Sequence, residues 1–228
     1  MTAAPSQLVL DLPHRPALGA EDFLVSDSNR AAVDLLDCWP AWPHWSAVVV
    51  GPAGSGKSHL VNVWRARSGA TRLDAPALGE AAIVALERSG ALAVEDIDRG
   101  IGDERALFHV LNLARQHRYT VLLTARAAPG QIAVAVPDLR SRLRALPVVA
   151  IAPPDEPLLR AMLVKLFADR QLVVEPHVIA FLALHMERST EAAVSVVAEV
   201  DRLSLAAKRK VTRALAAAAL GRAVEPEA

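Results

Sequence analysis

The sequence predicts an α/β protein in which a parallel sheet is flanked by helices and followed by a small all-helical domain. Up to about residue 151, short apolar runs alternate with amphipathic stretches, as parallel strands joined by crossover helices require. The run Ala47-Val48-Val49-Val50 leads directly into a glycine-rich turn and then a helical pattern, which is the order of a strand, a ligand loop and a helix. Beyond Ala152-Pro153-Pro154 the strand signal stops, and the rest of the chain reads as helices.

In chain order, strands are expected at Ala47–Val50, Thr71–Leu73, Ala91–Glu95, Thr120–Thr124 and Leu146–Ile151. Each is short and rich in β-branched or aliphatic residues, as strands covered on both faces are. Helices are expected between them at Ser58–Arg67, Leu78–Arg88, Asp103–His117 and Pro137–Arg144. The later helices are expected at about Glu156–Arg170, Pro176–Met186, Thr190–Lys208 and Thr212–Leu220. No internal repeat is present in the sequence.

With 228 residues and 53% hydrophobic content, the chain can bury a substantial core. Lys+Arg and Asp+Glu both number 25, so no net field steers the whole molecule toward nucleic acid or an anionic membrane. One cysteine, Cys38, excludes an internal disulfide and is expected to be buried as a small apolar residue. The start of the chain lacks a signal-peptide pattern, and no apolar stretch is long enough to cross a bilayer, so a cytoplasmic location is expected. Trp39, Trp42 and Trp45, interleaved with Pro40 and Pro43, read as packing beneath the first strand. The cluster Lys208, Arg209, Lys210 and Arg213 reads as a solvated helix end, and the seven histidines have no metal-ligand spacing.

Gly51-Pro52-Ala53-Gly54-Ser55-Gly56-Lys57-Ser58 fits the pattern GxxxxGK[ST] at every position. Wrapping a phosphate chain in backbone N–H groups needs glycines that let the backbone curl closely around it. Lys57 can reach the β- and γ-phosphate oxygens, the Ser58 hydroxyl can ligate Mg²⁺, and the helix that follows offers its N-terminus to the anion. His59 continues that helix. The stretch implies binding of a nucleoside triphosphate or diphosphate.

The apolar run Leu92-Ala93-Val94 ends in Glu95-Asp96-Ile97-Asp98. In a P-loop enzyme this strand end manages Mg²⁺ and the attacking water. The usual order puts Asp first, at the metal, and an acid that polarises the nucleophile second. Here Glu95 holds the metal position and Asp96 the second. One added methylene moves a carboxylate by about an ångström, and such a misplacement can cost ~10²-fold in rate, so weak intrinsic hydrolysis is expected. Thr124 ends a neighbouring strand, where its hydroxyl can orient the γ-phosphate or a water. Arg140 and Arg142 lie on different faces of the helix after Pro137. One of them can face another subunit's nucleotide, and surface ion pairs are the alternative use.

Taken in order, these segments resemble the AAA+ module of the bacterial replication initiator DnaA. Asp22-Phe23-Leu24-Val25-Ser26-Asp27-Ser28-Asn29-Arg30-Ala31 is similar to the segment that packs around adenine there. Gly51–Ser58, Glu95–Asp98, Thr124, Pro137–Leu143 and Glu187–Val194 resemble its Walker A, Walker B, sensor 1, arginine-finger box and sensor 2. The resemblance spans about residues 17 to 221 and implies an adenine site containing Phe23, Leu24, Val25 and Asn29. It also implies Arg188 as the lid arginine on the nucleotide phosphates.

The tail after residue 220 is expected to be too short for the helix-turn-helix domain with which the initiator reads DNA. At the other end, Gln7-Leu8-Val9-Leu10-Asp11-Leu12 resembles the QxxLxL peptide by which bacterial proteins enter the β sliding clamp of DNA polymerase III. The combination is similar to the Hda/HdaA regulators of DnaA. The expected organisation is therefore a clamp-binding tail over 1–16, an AAA+ nucleotide-binding domain over 17–152 and a helical lid over 153–228.

That family resemblance implies a negative regulator of replication initiation. It would be bound to the clamp, hold ADP or ATP with Mg²⁺, and stimulate ATP hydrolysis by the initiator through Arg142 in trans, with Arg140 in reserve. Its own ATPase would be weak. DNA would be met only through the clamp, no membrane is implied, and a homodimer stays open. Two other readings stay open as well: an autonomous ATPase or helicase loader of the DnaC type, and a non-catalytic DnaA-related scaffold.

Overall fold

The computed structural model describes residues 24–207 and 209–223. They form two compact units: residues 27–153 make one, and residues from 154 onward together with Leu24–Ser26 make the other.

The first unit runs α1 (Arg30–Asp37), β1 (Ser46–Val50), α2 (Lys57–Ser68), β2 (Thr71–Asp74), α3 (Ala81–Ser89), β3 (Ala91–Glu95), α4 (Glu104–His117), β4 (Thr120–Ala125), α5 (Pro137–Arg144) and β5 (Val148–Ala150). The five strands make one sheet of order β2-β3-β4-β1-β5, and every pair is parallel. β3 and β4 are buried along their whole length because helices cover both faces, which is why they read as unbroken apolar runs. β2 and β5 lie at the edges and alternate, so Arg72 and Asp74 come to the surface.

One face of the sheet packs Val48, Leu92, Val94, Val121 and Leu123 against α3, α4 and α5, centred on Leu86, Leu107, Leu111 and Leu139. The other face is covered by α2, with α1 beside it. Trp64 of α2 is buried and stacks on Trp42, with ring centroids 5.3 Å apart. The three tryptophans of the Trp39–Trp45 segment thus part ways. Trp42 is core, whereas Trp39 and Trp45 are half-buried beneath the guanidinium groups of Arg67 and Arg118 at 5.4 and 5.9 Å.

Most expected elements lie within a residue or two of the observed ones, and β3 and α5 coincide with them. β5 is shorter than expected because Pro147 cannot donate to the ladder, although its carbonyl still accepts from Val48 N–H at 2.9 Å. α3 starts at Ala81 rather than Leu78, after a tight turn at Ala75–Ala77 and Gly79. α1 was not expected; its eight residues are too few for a visible helical period. The expectation for Cys38 is corrected. It is exposed, because α1 buries Ala32, Val33 and Leu36 and the cysteine falls just past that face at the helix C-cap.

The second unit contains α6 (Glu156–Asp169), α7 (Pro176–His185), α8 (Thr190–Ala207) and α9 (Arg213–Ala223). Its core joins Leu159, Leu163, Phe167, Val178, Leu182, Val196 and Val200. The Asp155 carboxylate caps α6 by accepting from Leu158 N–H at 2.9 Å, and the Ser189 hydroxyl accepts from Ala192 N–H at 3.0 Å at the start of α8. Among the described residues no helix is long and apolar enough to cross a membrane.

Two side chains of α4 fix the position of α5. The Glu104 carboxylate accepts from Ala135 N–H at 2.9 Å and Val136 N–H at 2.6 Å, and Asn112 Oδ1 accepts from Arg142 Nη2 at 2.7 Å. Charge-assisted bonds of the Glu104 kind contribute about 1.5–3 kcal/mol. Glu104→Ala should therefore lower unfolding stability in urea by about 1–3 kcal/mol, whereas the exposed Glu80→Ala should stay within about 0.5 kcal/mol of the parent.

Candidate functional site

Because the strands are parallel, their carboxyl ends meet at one edge of the sheet, and the sequence motifs gather there. Gly51 leaves β1 so close to its neighbours that an added Cβ would lie 2.6 Å from the Ile151 carbonyl and 2.7 Å from Ser55 Oγ. Its N–H donates to the Ala125 carbonyl at 3.1 Å, which ties the loop to the end of β4. Gly56 has φ +97°, a conformation that L side chains rarely adopt, and it hands the chain to α2. Pro52 and Ala53 are exposed at the crest of the loop, Gly54 is half-buried, and Ser55 is buried. Ser58 and His59 are exposed on the first turn of α2.

Lys57 opens α2 and is only 7% exposed. Its ammonium folds back to donate to the Gly51 and Pro52 carbonyls, each at 2.8 Å. Burial pushes its pKa below the ordinary lysine value; Asp96, Asp98 and Glu95 oppose that shift, and the nearby Arg126 adds to it. The ammonium is thus under-compensated, and an arriving phosphate would supply the missing negative charge.

Glu95 closes β3 and is 2% exposed. Its Oε2 accepts a hydrogen bond from the Ser58 hydroxyl, and its Oε1 lies 2.7 Å from Arg72 Nε as an ion pair without hydrogen-bond alignment. Asp96 follows in the left-handed region, at φ 57° and ψ 48°, which a short polar residue tolerates at some cost. Its N–H donates to the Oγ1 of fully buried Thr124 at 3.0 Å, while its carboxylate faces Arg99 at 3.5 Å. The acidic pair and Thr124 are therefore brought together, as β3–β4 adjacency requires.

Ser58 and Glu95 supply hard oxygens, the donor type that Mg²⁺ takes beside a phosphate. Among the described residues no group of three or more His, Cys, Asp or Glu could hold a metal by itself. The residues fit Mg²⁺ in kind.

Arg140 is exposed on α5, and Arg142 is half-buried and held by Asn112. Arg142 also lines a shallow hollow of about 330 Å³ with Phe108, Asp138, Ser141 and Ala145. Asn29 is buried, and its carbonyl accepts from Ala32 and Val33 at the start of α1. Leu24 and Val25 belong to the helical unit, where Arg188 is exposed just before α8. Phe23 and the motif residues Gln7, Leu8, Leu10 and Leu12 lie outside the described residues.

Sequence reasoning missed Arg72 and Arg126, and it placed Asp98 in the acidic strand end without giving it a partner. Asp98 Oδ1 accepts from Arg126 N–H at 2.9 Å, so that arginine is fixed beside the loop two residues past Thr124. Its place after a strand-end threonine was a usable signal, whereas the Arg72 pairing depends on strand register that no local pattern reveals.

Residues 157–219 match the model of the Hda lid domain. Comparison with the curated proteins finds no match. Among solved structures, domain III of the Thermotoga maritima replication initiation protein DnaA aligns at TM-score 0.77 and 17% identity, covering 94% of this chain and 100% of that one. AMPPCP-bound DnaA from Aquifex aeolicus aligns at 0.68 and 17%, covering 83% of this chain and 66% of that one. The Thermotoga maritima RuvB Holliday junction branch migration motor aligns at 0.61 and 15%, covering 78% and 61%. The fold is that of an AAA+ module with a helical lid.

The state of Lys57 gives a pH signature. Its pKa in the free protein is lowered, so at neutral pH the buried ammonium costs stability, and that cost fades as pH rises from the lowered value toward the unfolded one. A bound phosphate raises the pKa again. Calorimetric titration with a nucleoside diphosphate should show proton uptake that grows toward alkaline pH and an affinity that falls as pH passes the lowered pKa. In Lys57→Met both effects should disappear along with most of the affinity.

Proposed function

We propose that this chain is an AAA+ protein related to Hda and DnaA, and that it regulates chromosomal replication initiation by holding an adenine nucleotide and promoting ATP hydrolysis on the initiator DnaA. The observation that carries this reading is an intact nucleotide loop in the same chain as an Hda-type lid.

The proposed division of labour follows from the chemistry of each group. Backbone N–H groups of residues 51–58 and the Lys57 ammonium hold the phosphates of the chain's own nucleotide. Ser58 and Glu95 are the groups of the kind that Mg²⁺ would take beside the phosphates, although Glu95 is already engaged by Ser58 and Arg72. Phe23, Leu24, Val25 and Asn29 are proposed to surround the adenine, and Arg188 to report phosphate occupancy to the lid. Asp96 and Thr124 occupy the positions from which a water would be oriented, yet the Glu95-Asp96 order supports slow turnover and ADP as the working ligand.

In this reading Arg142 is the finger given to the initiator's ATP. A guanidinium that meets the γ-phosphate only in the transition state accelerates hydrolysis by ~10³ to 10⁵-fold. The Asn112 hydrogen bond supports Arg142 over Arg140, because a pre-oriented cation loses less freedom on docking. Gln7, Leu8, Leu10 and Leu12 are proposed to seat the chain on the β sliding clamp as an extended peptide.

Phosphate release from initiator-bound ATP, followed with and without DNA-loaded clamp, separates this regulator from a scaffold and from an autonomous motor. Stimulation should require the clamp, fall to background in Arg142→Ala, and drop by about 10–10²-fold in Asn112→Ala, with nucleotide affinity unchanged in both. Stimulation lost in Arg140→Ala but intact in Arg142→Ala would move the finger, and stimulation intact in both would remove it. Replacing Gln7, Leu10 and Leu12 by Ala should abolish binding to the clamp in surface plasmon resonance, and unchanged affinity would discard the recruitment step.

A further inference from the structure

Arg72 lies on edge strand β2, two residues before Asp74, the register partner of Glu95. Its guanidinium reaches forward, toward the carboxyl ends of the strands, to Glu95, with Nε 2.7 Å from Oε1, and its Nη2 stands 3.7 Å from the Asp74 carboxylate. The other oxygen of Glu95 is taken by the Ser58 hydroxyl. Both oxygens of this buried carboxylate are thus engaged by the protein's own groups. The two residues best suited to Mg²⁺, Ser58 and Glu95, are bonded to each other.

A carboxylate favours a nearby metal ion through its negative charge. A guanidinium at ion-pair distance cancels most of that charge as seen by the ion, and a side chain that is 3% exposed gives water little room to screen the effect. Arg72 is itself 39% exposed, so it can stay paired without being deeply buried. Binding Mg²⁺ through Glu95 would require the metal to compete with Arg72 and to part Glu95 from Ser58.

We propose that Arg72 is a positioning residue that neutralises Glu95 and holds it against Ser58, so that this site retains a nucleoside diphosphate with little dependence on Mg²⁺. The proposal rests on the reading of residues 51–58 as a nucleotide site and adds how that site treats its metal. A site of this kind keeps its nucleotide when the metal leaves, which suits a holder of ADP better than a motor that must polarise a γ-phosphate in each cycle.

The test is the affinity for a fluorescent ADP analogue in excess Mg²⁺ and in EDTA, measured on the full-length protein and its variants. The parent should bind within about threefold in the two buffers, and Arg72→Met should open that ratio to about tenfold or more by exposing the Glu95 charge to the metal. Arg72→Lys should restore most of the parental behaviour. Glu95→Gln placed on the Arg72→Met background should close the ratio again, because the charge that draws the metal is gone. A parent that loses tenfold or more in EDTA, or an Arg72→Met ratio equal to the parental one, overturns the proposal. Lack of ADP binding in either buffer overturns the nucleotide reading itself and this one with it.

Discussion

Parallel pairing of β3, β4 and β1 is the constraint on which the rest of the first unit depends. It sends the carboxyl ends of the three strands to one edge, so that the loop after Val50, the acids after Val94 and Thr124 converge there although they are far apart in sequence. The same pairing explains the composition. Central parallel strands must be covered on both faces, which leaves no place for polar residues except at the strand ends. Polar groups at those ends, therefore, mark the site, and the bond from Asp96 N–H to Thr124 Oγ1 locks two of the strands in the register that the site needs.

The charged groups of that edge are largely engaged by the protein's own atoms. Lys57 is turned onto the carbonyls of its own loop, Glu95 is engaged by Ser58 and Arg72, and Asp98 is spent on the backbone of Arg126. A site arranged this way offers a phosphate chain one buried, under-compensated ammonium, while the Glu95 carboxylate is already balanced by Arg72. That imbalance and the match of residues 157–219 to the Hda lid domain are what support the proposal that the nucleotide acts as a retained switch.

Much of this was legible in the sequence for identifiable reasons. β3 could be bounded because an apolar run ends abruptly in Glu95-Asp96, and α5 because Pro137 marks a helix start and the Arg-rich turn its end. The P-loop was legible because its glycines answer to local backbone geometry, as the 2.6 Å approach of a Cβ at Gly51 to Ile151 illustrates. What was hidden is non-local. The Arg72–Glu95 pair, the Asn112–Arg142 bond and the clamp of Glu104 on Val136 each join residues on different elements, and only the topology brings them together. Cys38 was misread for a simpler reason: residue type suggested burial, but the end of a short amphipathic helix put it in solvent.

As proposed, this chain holds a nucleotide as a switch rather than consuming it as a motor. Denaturing the purified protein and identifying the released nucleotide by chromatography distinguishes the two. A switch releases ADP at close to one per chain, and does so also after purification in EDTA. Protein that emerges free of adenine nucleotide from both preparations would contradict the proposal.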